Sequence, residues 1–128
     1  MKSWKISVIW LFFAGTIFMA CDKYDSKISG KANYIDKNNN TSYPASGAVI
    51  TKMTLKGDSL YPVVAVVADG NGEFLFEHTT KGSWRLSGKL EKDSIFYFGF
   101  SEDFTTNGNN HIEQTILLEP PINEDDSE

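Results

Sequence analysis

Cysteine occurs once, at Cys21, so the chain can form no intramolecular disulfide, although an exported protein would be free to use one. Histidine occurs twice, at His78 and His111, each beside a polar loop at a strand edge. No third ligand stands at a spacing that would complete a metal site, so exposed histidines and no metal are expected. Gly-x-Ser-x-Gly elbows, phosphate loops and His-Glu-x-x-His are all missing, and no thiol other than Cys21 is available, so neither an enzyme nor a cofactor is expected. Glu73 and Glu77 share a strand but stand about 13 Å apart at ~3.3 Å per residue, too far for either glycosidase geometry.

Basic residues are also few. Twelve Lys and Arg face seventeen Asp and Glu, and with Lys2 and Lys5 inside a removable leader the balance becomes ten against seventeen, net −7. Phosphate-rich partners select the opposite sign, so nucleic acid is not an expected partner. A helical period is missing from every stretch after residue 21. What is present, 41% hydrophobic and 13% aromatic residues, places the chain in the globular class. The 108 residues left after a 20-residue leader suffice for one domain with one core, and not for a second.

The leader occupies residues 1–20. Lys2 and Lys5 precede an uncharged apolar run from Ile6 to Phe18 that is too short and wrongly flanked to span a bilayer, the pattern of a signal-peptide helix. Its end, Phe18-Met19-Ala20-Cys21, resembles the lipobox of bacterial lipoproteins, although Phe18 and Met19 depart from that pattern's aliphatic-then-small choices. In that family the cysteine after the small residue is lipidated on sulfur and becomes the mature N-terminus. The resemblance implies lipidation, including palmitate, at Cys21 and a membrane as partner. Residues 21–27 read as a short polar tether, and Asp22-Lys23-Tyr24-Asp25-Ser26 is too mixed in charge to decide the periplasmic or surface face of the outer membrane.

From residue 28 the chain alternates strands and turns. Strand character covers Ile28 to Tyr34, Gly47 to Leu55, Pro62 to Ala68, Glu73 to Glu77, Ser83 to Leu90, Ile95 to Phe100 and Ile112 to Leu118. Seven short strands separated by turn signals predict an all-β, seven-stranded antiparallel β-sandwich over residues 28–118. Asp69-Gly70-Asn71-Gly72 is expected to turn a central hairpin into Glu73-Phe74-Leu75-Phe76, with φ positive at Gly72. The alternating oxygens of Asp69, Asn71 and Glu73 imitate the start of a calcium loop, but Thr80 stands where its bidentate glutamate belongs, and turn geometry alone demands the same residues. Thr105 to Asn110 reads as a flexible loop. Residues 119–128, with five acids and no base, read as a disordered acidic tail.

The order of the motifs is more particular than any one of them. An Ile-x-Gly strand at Ile28 is followed by Pro44-Ala45-Ser46-Gly47-Ala48-Val49, then by Ala68-Asp69-Gly70-Asn71-Gly72-Glu73-Phe74, then by Gly82-Ser83-Trp84-Arg85-Leu86. This order resembles the carboxypeptidase regulatory-like, transthyretin-like (prealbumin-like) sandwich family from Ile28 to about Leu90. The resemblance implies a non-catalytic folding, docking or adhesive module, since a fold by itself confers no activity.

Two strands carry apolar residues on both parities, Val63 to Val67 and Ile95 to Phe100, where one face would ordinarily be wetted. Either loops and the tail or a partner protein covers the second face. In this reading Phe96, Phe98 and Phe100 are core and Tyr97 presents its ring outward as a candidate interaction surface. Trp84 shares a parity with Leu86 and Leu90 and is expected in the core rather than as a sugar platform. Asp58-Ser59-Leu60 and Asp93-Ser94-Ile95 resemble the Asp-Ser/Thr-apolar acceptor of a bacterial O-glycosylation system, which makes Ser59 and Ser94 candidate sites at turns. Together these readings point to a lipid-anchored envelope protein of the outer membrane, an accessory or structural subunit acting by protein contact, with a surface glycan- or peptide-binding module as the alternative.

Overall fold

The computed structural model describes residues 25–122. The expected leader, the lipidation site Cys21, most of the tether and residues 123–128 of the acidic tail lie outside the described residues. Nine strands follow in order: β1 (Ser26–Ile35), β2 (Ser42–Pro44), β3 (Val49–Lys56), β4 (Ser59–Val67), β5 (Glu73–Thr79), β6 (Gly82–Lys92), β7 (Ile95–Phe100), β8 (Phe104–Thr106) and β9 (His111–Leu118). The seven expected strands all occur. The additional two, β2 and β8, are three residues each, too short to show a period, and β8 takes up part of the loop expected from Thr105 to Asn110.

Two sheets form. In sheet A, β1 is central, with β9 on one side and β5 and β2 on the other; in sheet B the order is β4-β3-β6, with β7 and β8 both paired to β6. The sandwich is therefore all-β, but not wholly antiparallel: β1 and β9 run parallel from Lys27↔His111 to Tyr34↔Leu118. Their starts are pinned together. Asp25 N–H donates to the Gly108 carbonyl and Lys27 N–H to that of Asn110, both at 3.0 Å, while Ser26 Oγ donates to Asn110 Oδ1 at 2.8 Å. Both strands thus leave the same end of the domain, and a parallel pair needs the long intervening crossover that β2 to β8 supply. Strand pairing also begins at Ser26, two residues before the expected boundary, and Glu119 exchanges two backbone hydrogen bonds of 3.0 Å with Phe98, so the chain is still paired one residue past β9.

A second correction concerns the turn at Asp69. It is not a hairpin, because β4 belongs to sheet B and β5 to sheet A; it carries the chain from one layer to the other. Asp69 Oδ1 accepts the N–H groups of Asn71 (2.9 Å) and Glu73 (3.0 Å), and Gly72 N–H reaches the Asp69 carbonyl at 2.9 Å. The turn chemistry that was legible in these residues is present, but turn chemistry does not say whether the next strand pairs with the last one or crosses above it.

The core lies between the sheets. Ile28, Ile50, Leu86, Ile116 and Leu118 are fully buried, with Phe74, Phe76, Trp84 and Leu90 around them. Along β6 the alternation of Trp84, Leu86 and Leu90 inward against Ser83, Lys89 and Glu91 outward is the period-two pattern of a strand with one face on a core. Among the described residues no helix is long and apolar enough to cross a membrane.

Candidate functional site

The outer face of sheet B is the most apolar exposed surface, and register explains why. Val67 pairs with Val49, Val49 with Lys89 and Lys89 with Phe98, so one row crosses four strands; the next row is Ala65, Thr51, Ser87 and Phe100. Phe96, Phe98 and Phe100 are each about half exposed (48–52%), and Val67 is 67% exposed. At ~3.3 Å per residue, three side chains on one parity of β7 form a continuous ladder. The rings of Phe98 and Phe100 meet edge to face, centroids 4.8 Å apart at 89°.

Two cations lie over this ladder. Lys89 Nζ stands 5.4 Å from the Phe96 centroid and Arg85 Cζ 5.7 Å from that of Phe100. Their aliphatic stems continue the apolar surface while the charged heads reach water. Arg85 is held by a fork of hydrogen bonds to Asp103, 2.6 Å from Nε to Oδ1 and 3.1 Å from Nη2 to Oδ2. That pairing raises the Arg85 pKa and holds the Asp103 carboxyl below its usual range. The salt bridge is solvent-exposed, so its effect is to position the guanidinium rather than to stabilise the domain.

This arrangement reverses the expected facing of β7. Tyr97 points inward, 3% exposed, its ring 5.1 Å from that of Tyr34 and its hydroxyl accepting the Lys37 N–H at 3.3 Å. It is no interaction surface. The phenylalanines, expected in the core, are outside. Gly99 explains the choice: it shares the parity of Tyr97, and a Cβ there would stand 2.0 Å from the Leu117 carbonyl oxygen and 2.9 Å from its carbon. The glycine-bearing face of β7 is therefore the one pressed against the backbone of β9. A glycine on one parity of an aromatic strand was a signal for the buried side that the composition of the strand concealed.

The other candidates fall elsewhere. Ser59 and Ser94 are exposed at turns on opposite ends of sheet B, and Ser94 sits in a two-residue hairpin with positive φ at Asp93 (54°) and Ser94 (66°), the primed geometry that matches strand twist. Trp84 is buried as expected, and its Nε1–H donates to Thr106 Oγ1 at 2.9 Å. His78 Nδ1 lies 3.4 Å from Asp25 Oδ1, while His111 Nε2 lies 2.7 Å from Ser29 Oγ. Among the described residues no three His, Cys, Asp or Glu side chains come together as a metal site. An open groove of about 610 Å³ runs along sheet A beside Ser29, Leu75 and Thr115 and reaches Val66 and Val67 of sheet B, with Lys31, Asp69, Glu73 and Glu113 as its charged groups. Sequence reasoning missed Lys52, which shares the parity of Ile50 and is buried beneath Trp84.

No protein-family model and no curated protein matches the sequence. Solved structures do. The minor pilin of Streptococcus agalactiae superposes with a TM-score of 0.51 at 11% identity, over 78% of this chain and 46% of that one. A Pseudomonas aeruginosa protein described as a candidate for carbohydrate binding gives 0.49 at 15% identity, over 77% and 90% of the two chains. The pilus adhesin of Streptococcus pneumoniae gives 0.39 at 16% identity, over 77% of this chain and 15% of that one. The match above 0.5 establishes a β-sandwich fold shared with the pilin; at such identities it carries nothing about ligand or partner.

Proposed function

We propose that this chain is a non-catalytic, lipid-anchored module of the bacterial outer membrane, of the carboxypeptidase regulatory-like, transthyretin-like kind, that works by protein contact through the outer face of sheet B. The observation that carries this reading is the ladder of Phe96, Phe98 and Phe100, half exposed on the outer face of sheet B and continued by Val49 and Val67. Contiguous apolar surface rimmed by charge is what protein interfaces use, and aromatic rings flanked by an arginine are the residues that dominate them. The ladder is ill suited to a sugar, because Phe98 and Phe100 stand at 89° and offer no common plane on which a pyranose ring could lie.

The test uses full-length chain extracted from its own membranes in mild detergent. The wild type is expected in a stoichiometric assembly larger than one chain, and Phe98→Asp is expected to migrate alone with its melting temperature within a few degrees of wild type. If Phe98→Asp folds and stays in the assembly, the face is not the contact. Membrane retention supplies a separate prediction. Each buried acyl methylene contributes about 0.8 kcal/mol, so several chains on Cys21 hold the protein durably. Cys21→Ala is therefore expected in the soluble fraction after a high-salt wash; its persistence in the pellet would exclude lipid anchoring.

A glycan or peptide ligand is the second reading, and the groove on sheet A favours it. Lys31, Asp69, Glu73 and Glu113 offer hydrogen-bonding groups there, and none of Phe96, Phe98 and Phe100 lines it. The two readings separate in the same variant, since Phe98→Asp leaves that groove intact.

A further inference from the structure

Two Asn-Gly pairs occur in the chain, Asn71-Gly72 and Asn107-Gly108, and the fold places them in opposite circumstances. Asparagine is a labile residue, most of all before glycine, where no side chain hinders the next backbone nitrogen from closing on the amide. Both asparagines are exposed. At Gly72 the nitrogen is engaged: its N–H donates to the Asp69 carbonyl at 2.9 Å, and its own carbonyl accepts the Ala32 N–H at 2.8 Å. Attack from that nitrogen would first break a bond that holds the layer-crossing turn.

At Asn107 both reacting groups are prepared. Asn107 Oδ1 accepts the Asn109 N–H at 2.8 Å, which draws electron density from Cγ and supplies a fixed donor for the oxyanion that forms when Cγ is attacked. Among the described residues nothing accepts the Gly108 N–H. The same loop clamps the start of β1. The Gly108 carbonyl accepts the Asp25 N–H, and Asn107 N–H donates at 3.0 Å to the Asn110 Oδ1 that the buried Ser26 hydroxyl also bonds. Asn110 N–H returns to Ser26 Oγ at 3.2 Å.

We infer that Asn107 deamidates spontaneously in the folded protein by closure on the Gly108 nitrogen, and that the product loosens the clamp on β1. The Gly108 nitrogen loses its proton and forms a bond to Asn107 Cγ; the bond from Cγ to Nδ2 breaks, and Nδ2 leaves as ammonia with a proton. Water then opens the cyclic imide. Opening at Cγ gives aspartate, and opening at the former main-chain carbonyl gives isoaspartate. Nothing is oxidised or reduced: one water enters and one ammonia leaves. In isoaspartate the main chain runs through Cβ and Cγ, so one extra carbon separates residue 107 from Gly108. That displaces the carbonyl which holds Asp25, and the first residues of β1 lose their partner.

Full-length chain, extracted in mild detergent and aged at mildly alkaline pH with and without urea, tests the site. Peptides covering each Asn-Gly pair are followed by mass spectrometry, and isoaspartate is told from aspartate with an isoaspartyl methyltransferase. In the folded chain Asn107 is expected to convert several-fold faster than Asn71, and in urea, where neither environment survives, the two rates are expected to converge. Equal rates in the folded chain, or a faster Asn71, would overturn the assignment. Amide hydrogen exchange reads the clamp. Aged wild type is expected to exchange several-fold faster than fresh chain at Asp25 and Lys27. Asn107→Gln, whose longer amide does not readily close such a ring, is expected to show neither conversion nor faster exchange on ageing. Fresh Asn107→Asp carries the charge without the extra carbon and is expected to exchange as fresh wild type does. Rapid exchange in that variant, or unchanged exchange in aged wild type, would overturn the loosening.

Discussion

Gly72→Val is expected to cost on the order of 4 kcal/mol or more, enough to leave a domain of this size largely unfolded near physiological temperature. Two independent penalties add. Gly72 has φ of +77°, a region in which a β-branched residue is strained by about 1–3 kcal/mol. A Cβ at this position would also stand 2.3 Å from the Ala32 carbonyl oxygen and 3.0 Å from the Ala45 nitrogen. Those atoms are already engaged, since Ala45 N–H donates to Ala32 O at 2.9 Å and Ala32 N–H donates to Gly72 O at 2.8 Å. Relieving the clash means opening bonds that join the layer-crossing turn, β1 and the lead-in to β3, each buried group left unpaired costing about 1–3 kcal/mol. Gly70→Val is the control. It lies two residues away in the same turn, no heavy atom stands within 4 Å of its Cβ position, and its φ is not positive. Chemical denaturation of both variants decides the matter: if Gly72→Val unfolds at the same denaturant concentration as Gly70→Val, the turn is not the joint described here.

What could be read from the chain divides along a physical line. Period-two alternation, or a short run of β-branched and aromatic residues between turn signals, located every long strand, because both are local properties; β6, with Trp84, Leu86 and Leu90 on one parity, was legible residue by residue. Choosing which parity is buried is not local. In β7 both parities are apolar, and the decision falls to contacts that the strand's own sequence does not contain: the Lys37 N–H that satisfies the Tyr97 hydroxyl, and the Leu117 backbone that leaves room only for Gly99. The candidate face was thus visible as a surplus of apolar residues but assigned to the wrong ring. Partner choice between strands is equally non-local, which is why the turn at Asp69 read as a hairpin and the sandwich as wholly antiparallel, without the parallel β1–β9 pair.

Replacing Lys52 and its acceptor together, Lys52→Met with Thr79→Val, is expected to raise stability at neutral pH by about 1–4 kcal/mol, the range seen when buried charged groups give way to apolar ones of similar size. Lys52 is 5% exposed; its ammonium donates to Thr79 Oγ1 at 3.0 Å and lies 4.9 Å from the Trp84 ring and 5.6 Å from that of Phe76. One hydroxyl and two ring faces replace only part of the hydration that the charge has lost. Burial accordingly pushes the Lys52 pKa below 10.5, and the sign of the pH effect follows. Between the lowered folded value and 10.5 the unfolded chain binds the proton more readily than the folded one, so this lysine's penalty is complete below the folded pKa and is relieved as pH rises towards 10.5. The difference in stability between wild type and the double variant should therefore narrow on raising the pH, which denaturant titrations of the two proteins side by side would show. Lys52→Met alone should gain less, because Thr79 is fully buried and its hydroxyl would be left without a partner. A double variant that is less stable than wild type at neutral pH would mean that the two rings and the hydroxyl outweigh the desolvation, and that the buried charge holds the Trp84 end of the sandwich together.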